Sequence, residues 1–432
     1  MGKSSDNPDS PGREAKEMSG SYSGPLSDIR ILDLSRLLPG GFASLLLADL
    51  GADVIKVEDT GVGDYLRWAP PFYGSDEQQG LGTRSALYLS LNRGKRSVRI
   101  DLKSDAGREA FVRMAADADI VLESFRPGVL DRLGVGYKRL REVNRRIIVC
   151  AISGYGADGH NTTRAGHDTN YLALAGLLGL TGEADGPPVS SAGQIADLGG
   201  GGLMAAFGML SALHERDRSG EGQFVDVSMT DGALSWLAMA AAAYLADGRV
   251  PKRGAEMLNG GVACYLPYEC ADGWISCGAL EPKFWQAFCG GVGRPDLLEH
   301  QFAAPGSPGH AAVAEVFATK SKAEWAAFND ANDCCIEPVL NLDEALSSQL
   351  VREREMVVEL DQPELGPVRL LGHPVKFTRT PADPTRAAPA LGEHTVAVLA
   401  EAGFAQAAIE ELIASGAVGG PSGGPPEAKF LS

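Results

Sequence analysis

The sequence predicts an α/β fold, a mostly parallel sheet covered by helices on both faces. Three observations predict it. Short apolar runs recur at residues 29–34, 53–58, 98–102, 120–123 and 146–152. Helical patterns lie between them, at 42–50 and 106–116. Strands that alternate with helices pair in parallel and are covered on both sides. The chain of 432 residues is also too long for one small domain, so a second domain is expected.

Each element has its own local reason. Residues 35–41, with Pro39, Gly40 and Gly41, read as the turn after the first strand. Gly51 closes the first helix, because a left-handed residue ends helices readily and glycine adopts it without strain. A glycine turn followed by an acid at the end of the next strand is similar to a dinucleotide site, but no complete G-x-G-x-x-G runs through residues 35–46. A nicotinamide cofactor is therefore not expected. Residues 160–245 read as mainly helical and rich in Gly and Ala. Residues 263–268 and 274–277 alternate apolar and polar positions, as half-buried strands do. Residues 367–371 and a helix near 395–402 bring the chain back toward its first domain.

Composition excludes several function classes. Formal net charge is −17, which argues against sequence-independent binding to nucleic acid or anionic lipid. A small anionic ligand in a locally basic pocket is not excluded. Hydrophobic residues make up 44%, enough to bury a large core. The most apolar run, 233–246, is too short to span a bilayer and reads as a buried helix. The first 24 residues are polar and rich in Ser, Gly, Asp and Pro. They predict a disordered tail rather than a signal peptide. The final Phe430-Leu431-Ser432 does not match the peroxisomal Ser-Lys-Leu address. A cytoplasmic location is the default expectation. Seven cysteines without CxxC or Cys/His spacing predict free thiols and no zinc site; the neighbours Cys334 and Cys335 are read as packing residues.

Three segments carry the chemistry. The first holds Gly166, His167, Asp168, Thr169, Asn170 and Tyr171. The second runs from Asp197 into Gly199-Gly200-Gly201-Gly202. The third is Gly278-Ala279-Leu280-Glu281-Pro282. Each alone has a structural explanation. Asp168 caps a helix well before the apolar run 172–180, Asp197 caps a helix entered through the glycines, and Glu281 opens a helix with Pro282 at its first position.

Together with Asp49-Leu50-Gly51-Ala52-Asp53, Asn92-Arg93-Gly94-Lys95-Arg96, Glu123-Ser124-Phe125-Arg126-Pro127-Gly128 and Gly220-Glu221-Gly222-Gln223, these segments stand in one order over about residues 24–390. The pattern resembles the class III CoA-transferase superfamily of CaiB/BaiF type, and within it the α-methylacyl-CoA racemases. The resemblance implies a large Rossmann-like domain built from both chain ends and a smaller mixed α/β domain from the middle. It also implies an interlocked homodimer, with the active site between large and small domains of different subunits. The expected division is a tail over 1–24, the large domain over 25–230, a linker helix and small domain over 231–345, a return to the large domain over 346–416, and a flexible tail over 417–432.

The resemblance also implies roles. A racemase removes the α-proton of a thioester on one face and returns one on the other, through an enolate. His167 and Asp197 would be the two bases, with Glu281 orienting His167, and backbone N–H groups would hold the enolate oxygen. Coenzyme A would enter as part of the substrate, with no tightly bound cofactor and no metal. Arg126 and Arg132 would meet its phosphates. Ile100, Asp101, Leu102, Lys103, Ser124 and Phe125 would line the nucleotide, and Gly166 to Tyr171 the thioester end. Asp59 stands where racemases of the family carry arginine, so Lys56 is expected to supply that cation. The competing reading is a CoA-transferase with Asp168 as covalent nucleophile; the long stretch from Gly63 to Arg93 resembles the transferase version. A module that binds CoA without catalysis is the third reading. Leu172, Leu177, Leu178, Met204, Met257 and Trp285 are candidates for an acyl pocket, with core packing expected for most.

Overall fold

A computed structural model describes residues 24–74 and 84–421. The tail predicted over 1–23, residues 75–83 of the long stretch after the second strand, and residues 422–432 lie outside the described residues.

The expected parallel sheet is present. Its strands are β1 (Arg30–Asp33), β2 (Asp53–Glu58), β3 (Arg96–Ile100), β4 (Ile120–Glu123), β5 (Ile148–Ser153), β6 (Phe224–Ser228) and, much later in the chain, an edge strand at Val418–Gly419. The spatial order is edge strand, β3, β2, β1, β4, β5, β6. All neighbours pair in parallel except the edge strand, which runs antiparallel to β3. The sequence placed Val418 and Gly419 in a flexible tail. They are ordered because their backbone completes the ladder of Arg99 and Ile100. The third strand lies two residues earlier than predicted, and the fifth starts at Ile148 rather than 146.

The first helix begins at Leu38, inside the predicted turn, and ends at Asp49. Proline is compatible with a helix's first turn, where its missing N–H costs nothing. Gly51 follows at φ 99°, the left-handed residue expected there. Apolar side chains from both faces of the sheet form two large clusters, one around Ile31, Ile120, Ile152 and Met209, the other around Leu32, Val98, Phe111 and Val149.

A third cluster is drawn entirely from the middle of the chain, from Cys264 to Ile336. It packs on an antiparallel sheet of β7 (Tyr265–Cys270), β8 (Gly273–Gly278) and β9 (Ile336–Pro338). The alternation read at 263–268 and 274–277 is this hairpin. The next pair, β10 (Val357–Gln362) and β11 (Gly366–Leu371), forms its own two-stranded sheet. Leu360, Val368 and Leu370 from it meet Leu45, Leu66 and Tyr88 from the start of the chain. All seven cysteines are free, as expected, and six are buried.

Two expectations about helices need correction. The apolar run 233–246 is split between helices Met229–Ser235 and Ala238–Asp247, and the second buries none of its residues within the chain. Its alanines contribute little surface to bury, and Met239 and Leu245 are 74% and 81% exposed. The longest apolar helix is instead the continuous segment 195–219, whose mean hydropathy of 1.3 would suffice by length and composition to cross a membrane. Ala205, Met209, Ala212 and Leu213 on it are buried in the core, while Leu203, Phe207 and Leu210 are exposed.

This helix opens as a π-helix over Ile195–Leu203 and continues as an α-helix over Met204–Ser219. The glycines of the π segment let it touch its neighbours backbone to backbone. A Cβ on Gly232 would lie 2.2 Å from the carbonyl oxygen of Gly200. Gly232→Ala is therefore expected to cost about 1–3 kcal/mol and to displace the π segment. Denaturant unfolding and activity, measured on the same preparation, check both effects.

Candidate active site

The order β3-β2-β1-β4-β5-β6 reverses direction between β1 and β4. In open α/β sheets, ligands bind in the crevice outside the carboxyl ends of the strands at such a reversal. The loop after β1 and the loop after β4 border it, and they are tied together: the backbone N–H of Arg36 donates to Ser124 Oγ at 3.2 Å. Leu37, next in line, holds a left-handed φ of 61° just before the first helix, a strained conformation of the kind that clusters at ligand sites.

Most of the predicted CoA-lining residues sit at this edge of the sheet. Asp101, Leu102 and Lys103 follow β3, and Ser124, Phe125 and Arg126 follow β4. The Lys103 N–H donates to Asp101 Oδ1 at 2.9 Å, and the Phe125 N–H to Glu123 Oε2 at 2.7 Å. Arg126, Arg132 and Lys103 are exposed, and none of them has an ion pair among the described residues. Ile100 is packed in the core, so it can offer a ligand only backbone groups. Lys56 is a clear departure from expectation. It is 1% exposed; its Nζ pairs with Asp64 at 2.8 Å and donates to the Ser35 carbonyl at 3.0 Å. A buried ammonium needs those partners, so Lys56 does not present its charge to a ligand.

The loop leaving β5 leads to the first of the predicted acid–base residues. It ends at His167, the residue that precedes helix Asp168–Leu174. Asn170 holds this start: its Oδ1 accepts the His167 N–H at 3.0 Å, and its own N–H donates to the His167 carbonyl at 2.8 Å. Gly166 permits the close approach behind, since a Cβ there would lie 2.6 Å from Tyr155 Oη and 2.7 Å from a ring carbon of Tyr171. The Tyr171 hydroxyl donates to the Gly166 carbonyl at 2.5 Å. Thr169 lies exposed beside it.

Asp168 was expected to cap its own helix; it caps another. Its Oδ1 accepts the backbone N–H groups of Ala196 and Asp197, at 2.7 and 2.9 Å, the orphan donors that open the π segment. Asp197 was expected to be that cap. It lies instead inside the segment's first turn, and its carboxyl accepts no hydrogen bond among the described residues. This cross-cap places His167, Asp168 and Asp197 in one electrostatic group. Burial pushes the Asp197 carboxyl up, the Asp168 charge pushes it further, and His167 pulls it back, leaving it at about 6. The Tyr171 hydroxyl is pushed up to about 12, by burial first and then by Asp197. A half-buried carboxyl that changes charge near neutrality, within electrostatic reach of an exposed imidazole, is suited to proton transfer.

Glu281 opens helix Pro282–Gly291 with Pro282 at its first position, as the sequence suggested. Its charge is felt by Cys335, beside the third cluster's Cys334. Among the described residues of the one chain, no hydrogen bond or ion pair joins it to His167. Of the acyl-pocket candidates, Leu172 and Trp285 are core residues, Leu177, Leu178 and Met204 are partly buried against the core, and Met257 is exposed.

Two features of the edge went unread in the sequence. Arg36 counted only as part of a turn, yet it pairs at 2.6 Å with Asp59, just past the end of β2. Glu123 lines a cavity of about 290 Å³ with Asp131 and Asp226; burial, and secondarily those charges, push it up to about 7. A cation two or three residues past a strand's carboxyl end was the available signal for the first. The second depends on tertiary packing alone.

Comparison with known proteins shows what the chain is similar to. The mouse (Mus musculus) alpha-methylacyl-CoA racemase is 37% identical over 90% of this chain and 96% of its own length. The succinyl-CoA:mesaconate CoA-transferase of Haloarcula hispanica is 34% identical over 88% of this chain and 97% of its own. The crystal structure of a CAIB/BAIF family protein from Brucella suis superposes with a TM-score of 0.75 at 30% identity, covering 88% of this chain and 99% of that one. The model of CoA-transferase family III matches residues 26–395, most of the chain. By that match and these relatives, the chain belongs to CoA-transferase family III.

Proposed function

We propose that this enzyme racemises 2-methylacyl-CoA thioesters by removing and returning the α-proton through an enolate. The observation that carries the reading is the cross-cap. It places Asp197, with its carboxyl at about 6, in one electrostatic group with His167. One group acts as base while the other, protonated, delivers a proton to the opposite face. The backbone N–H groups at the start of helix Asp168–Leu174 point their positive end toward the developing enolate oxygen. Arg126, Arg132 and Lys103 take the phosphates of coenzyme A, which enters as part of the substrate.

The active enzyme in this reading is a homodimer. Two features support it: the apolar helix Ala238–Asp247, which buries none of its residues within the chain, with Trp236 and Leu234 also exposed beside it, and the lack of any hydrogen bond or ion pair between Glu281 and His167 among the described residues of one chain. A second subunit would cover the former and bring its Glu281 to the latter.

One observation favours the CoA-transferase reading as runner-up. Asp168 Oδ2 receives no hydrogen bond among the described residues, so it retains an oxygen able to attack a thioester. The discriminating experiment omits any free carboxylic acid. A single enantiomer of a 2-methylacyl-CoA should lose its chirality with enzyme alone, and hydroxylamine should trap nothing on Asp168. Turnover that appears only with an added acid, with Asp168 converted to its hydroxamate, would establish the transferase instead.

A further inference from the structure

At the carboxyl edge of the sheet, Lys56 does not supply the expected cation, but another is present there. Arg36 reaches in from the other bordering loop. Its backbone is fixed by Ser124, its guanidinium lies 5.4 Å from the centre of the Tyr65 ring, and its Nη2 meets Asp59 Oδ2 at 2.6 Å. Asp59 is itself a fixed post: its Oδ1 accepts the N–H groups of Gly61 and Gly63, at 2.8 and 3.2 Å. The side chains remain 32% and 37% exposed. An ion pair this open contributes little to stability, which leaves a role in binding. The guanidinium keeps donors beyond the one given to Asp59; its Nε has no acceptor among the described residues. Arginine's planar fork is matched to phosphate oxygens. On a chain of net charge −17, an anionic ligand must be met by local cations of this kind.

We propose that Arg36 is the inner phosphate-binding cation of the coenzyme A site, held ready by Asp59 and transferred to the phosphate when the ligand enters. The inference rests on the CoA reading above. Asp59 holds the guanidinium out over the crevice in the free enzyme. The incoming phosphate, with more acceptor oxygens and more charge, takes over its remaining donors. Asp59 thus acts as a placeholder whose charge competes with the ligand.

Calorimetric titration of the full-length protein tests this, with three probes: coenzyme A, 3′-dephospho-coenzyme A, and an acyl-pantetheine that carries no phosphate. Wild-type binding of coenzyme A checks the underlying reading; a wild type that ignores it overturns that reading and this inference together. Given that binding, Arg36→Ala should weaken coenzyme A about tenfold or more and leave acyl-pantetheine unchanged. Asp59→Asn should bind coenzyme A more tightly than the wild type. Arg36→Gln, which keeps much of the contact with Tyr65, serves if the alanine variant unfolds. An Arg36 effect that vanishes with the dephospho probe assigns the 3′-phosphate, and one that persists assigns the diphosphate. Wild-type affinity in both Arg36 variants, equal weakening of coenzyme A and acyl-pantetheine, or weaker binding by Asp59→Asn would overturn the inference while leaving the CoA reading intact.

Discussion

His167→Ala is expected to abolish interconversion of the two 2-methylacyl-CoA enantiomers, with a loss of about 10²–10⁴-fold, while exchange of the α-hydrogen survives for one enantiomer only. The reason is that, in the proposed mechanism, the two bases serve opposite faces of the α-carbon. Without the imidazole, Asp197 still takes and returns a proton on its own face, but nothing delivers one to the other. Asp197→Asn should show the mirror result, with exchange surviving for the other enantiomer. Chiral chromatography and mass spectrometry in deuterium oxide read both. The pH profile carries a further expectation. The Asp197 carboxyl stands at about 6, raised by burial and by Asp168. For the direction in which Asp197 is the base, kcat/KM should fall as pH drops below about 6, because the base becomes protonated. Asp168→Asn removes the second raising charge and should move that fall to lower pH.

Arg67→Ala is expected to produce the largest loss of stability, about 3–5 kcal/mol. Arg67 and Glu58 are both buried, and two hydrogen bonds of 2.7 and 2.8 Å join them. Ser97 Oγ donates to the same carboxylate at 2.7 Å, and the Arg67 guanidinium also reaches the Pro389 carbonyl at 3.1 Å. The pair therefore ties β2 and β3 to a segment more than 300 residues later. Removing the arginine leaves a buried carboxylate without its hydrogen-bonded cation, with only the more distant charge of Lys56. The double variant Arg67→Met, Glu58→Gln should recover much of the loss, because neither charge is then stranded. The acid side gives an independent check. Against the desolvation that opposes it, Arg67 draws the Glu58 carboxyl from 4.5 down to about 2. A depressed folded value stabilises fully above the unfolded one and is lost as pH falls through the folded one. The contribution, roughly 3 kcal/mol, should therefore vanish between about pH 4.5 and 2. Glu58→Gln should flatten that part of the stability curve, as urea titrations at several pH values will show.

Local chemistry was legible in the chain. Strand β2 and β4 fall where the apolar runs placed them, Gly51 ends the first helix, and Pro282 opens the helix after Glu281. These features depend on a few neighbouring residues, and a sequence displays neighbours. What needed the third dimension were partners far apart in the chain. Lys56 looks like a cation poised at a strand end, but Asp64 folds back over it. Arg36 and Asp59 are separated by 22 residues and look unremarkable in either turn. The cross-cap by Asp168 was hidden for the same reason, because one acid before a helix reads as the cap of that helix. Helix Ala238–Asp247 shows a different limit. Apolar residues announce that they will be buried, but not whether the chain's own core or another surface will bury them.

The central claim is that two bases serve one carbon from opposite sides. Its most direct test starts from one pure enantiomer of a 2-methylacyl-CoA in deuterium oxide and samples the earliest product. Two bases predict that product of inverted configuration carries solvent deuterium at the α-carbon from the first turnover, while the recovered starting enantiomer still holds its protium. Inverted product that retains the substrate's own protium would mean that a single group carried the proton across, and would contradict the account.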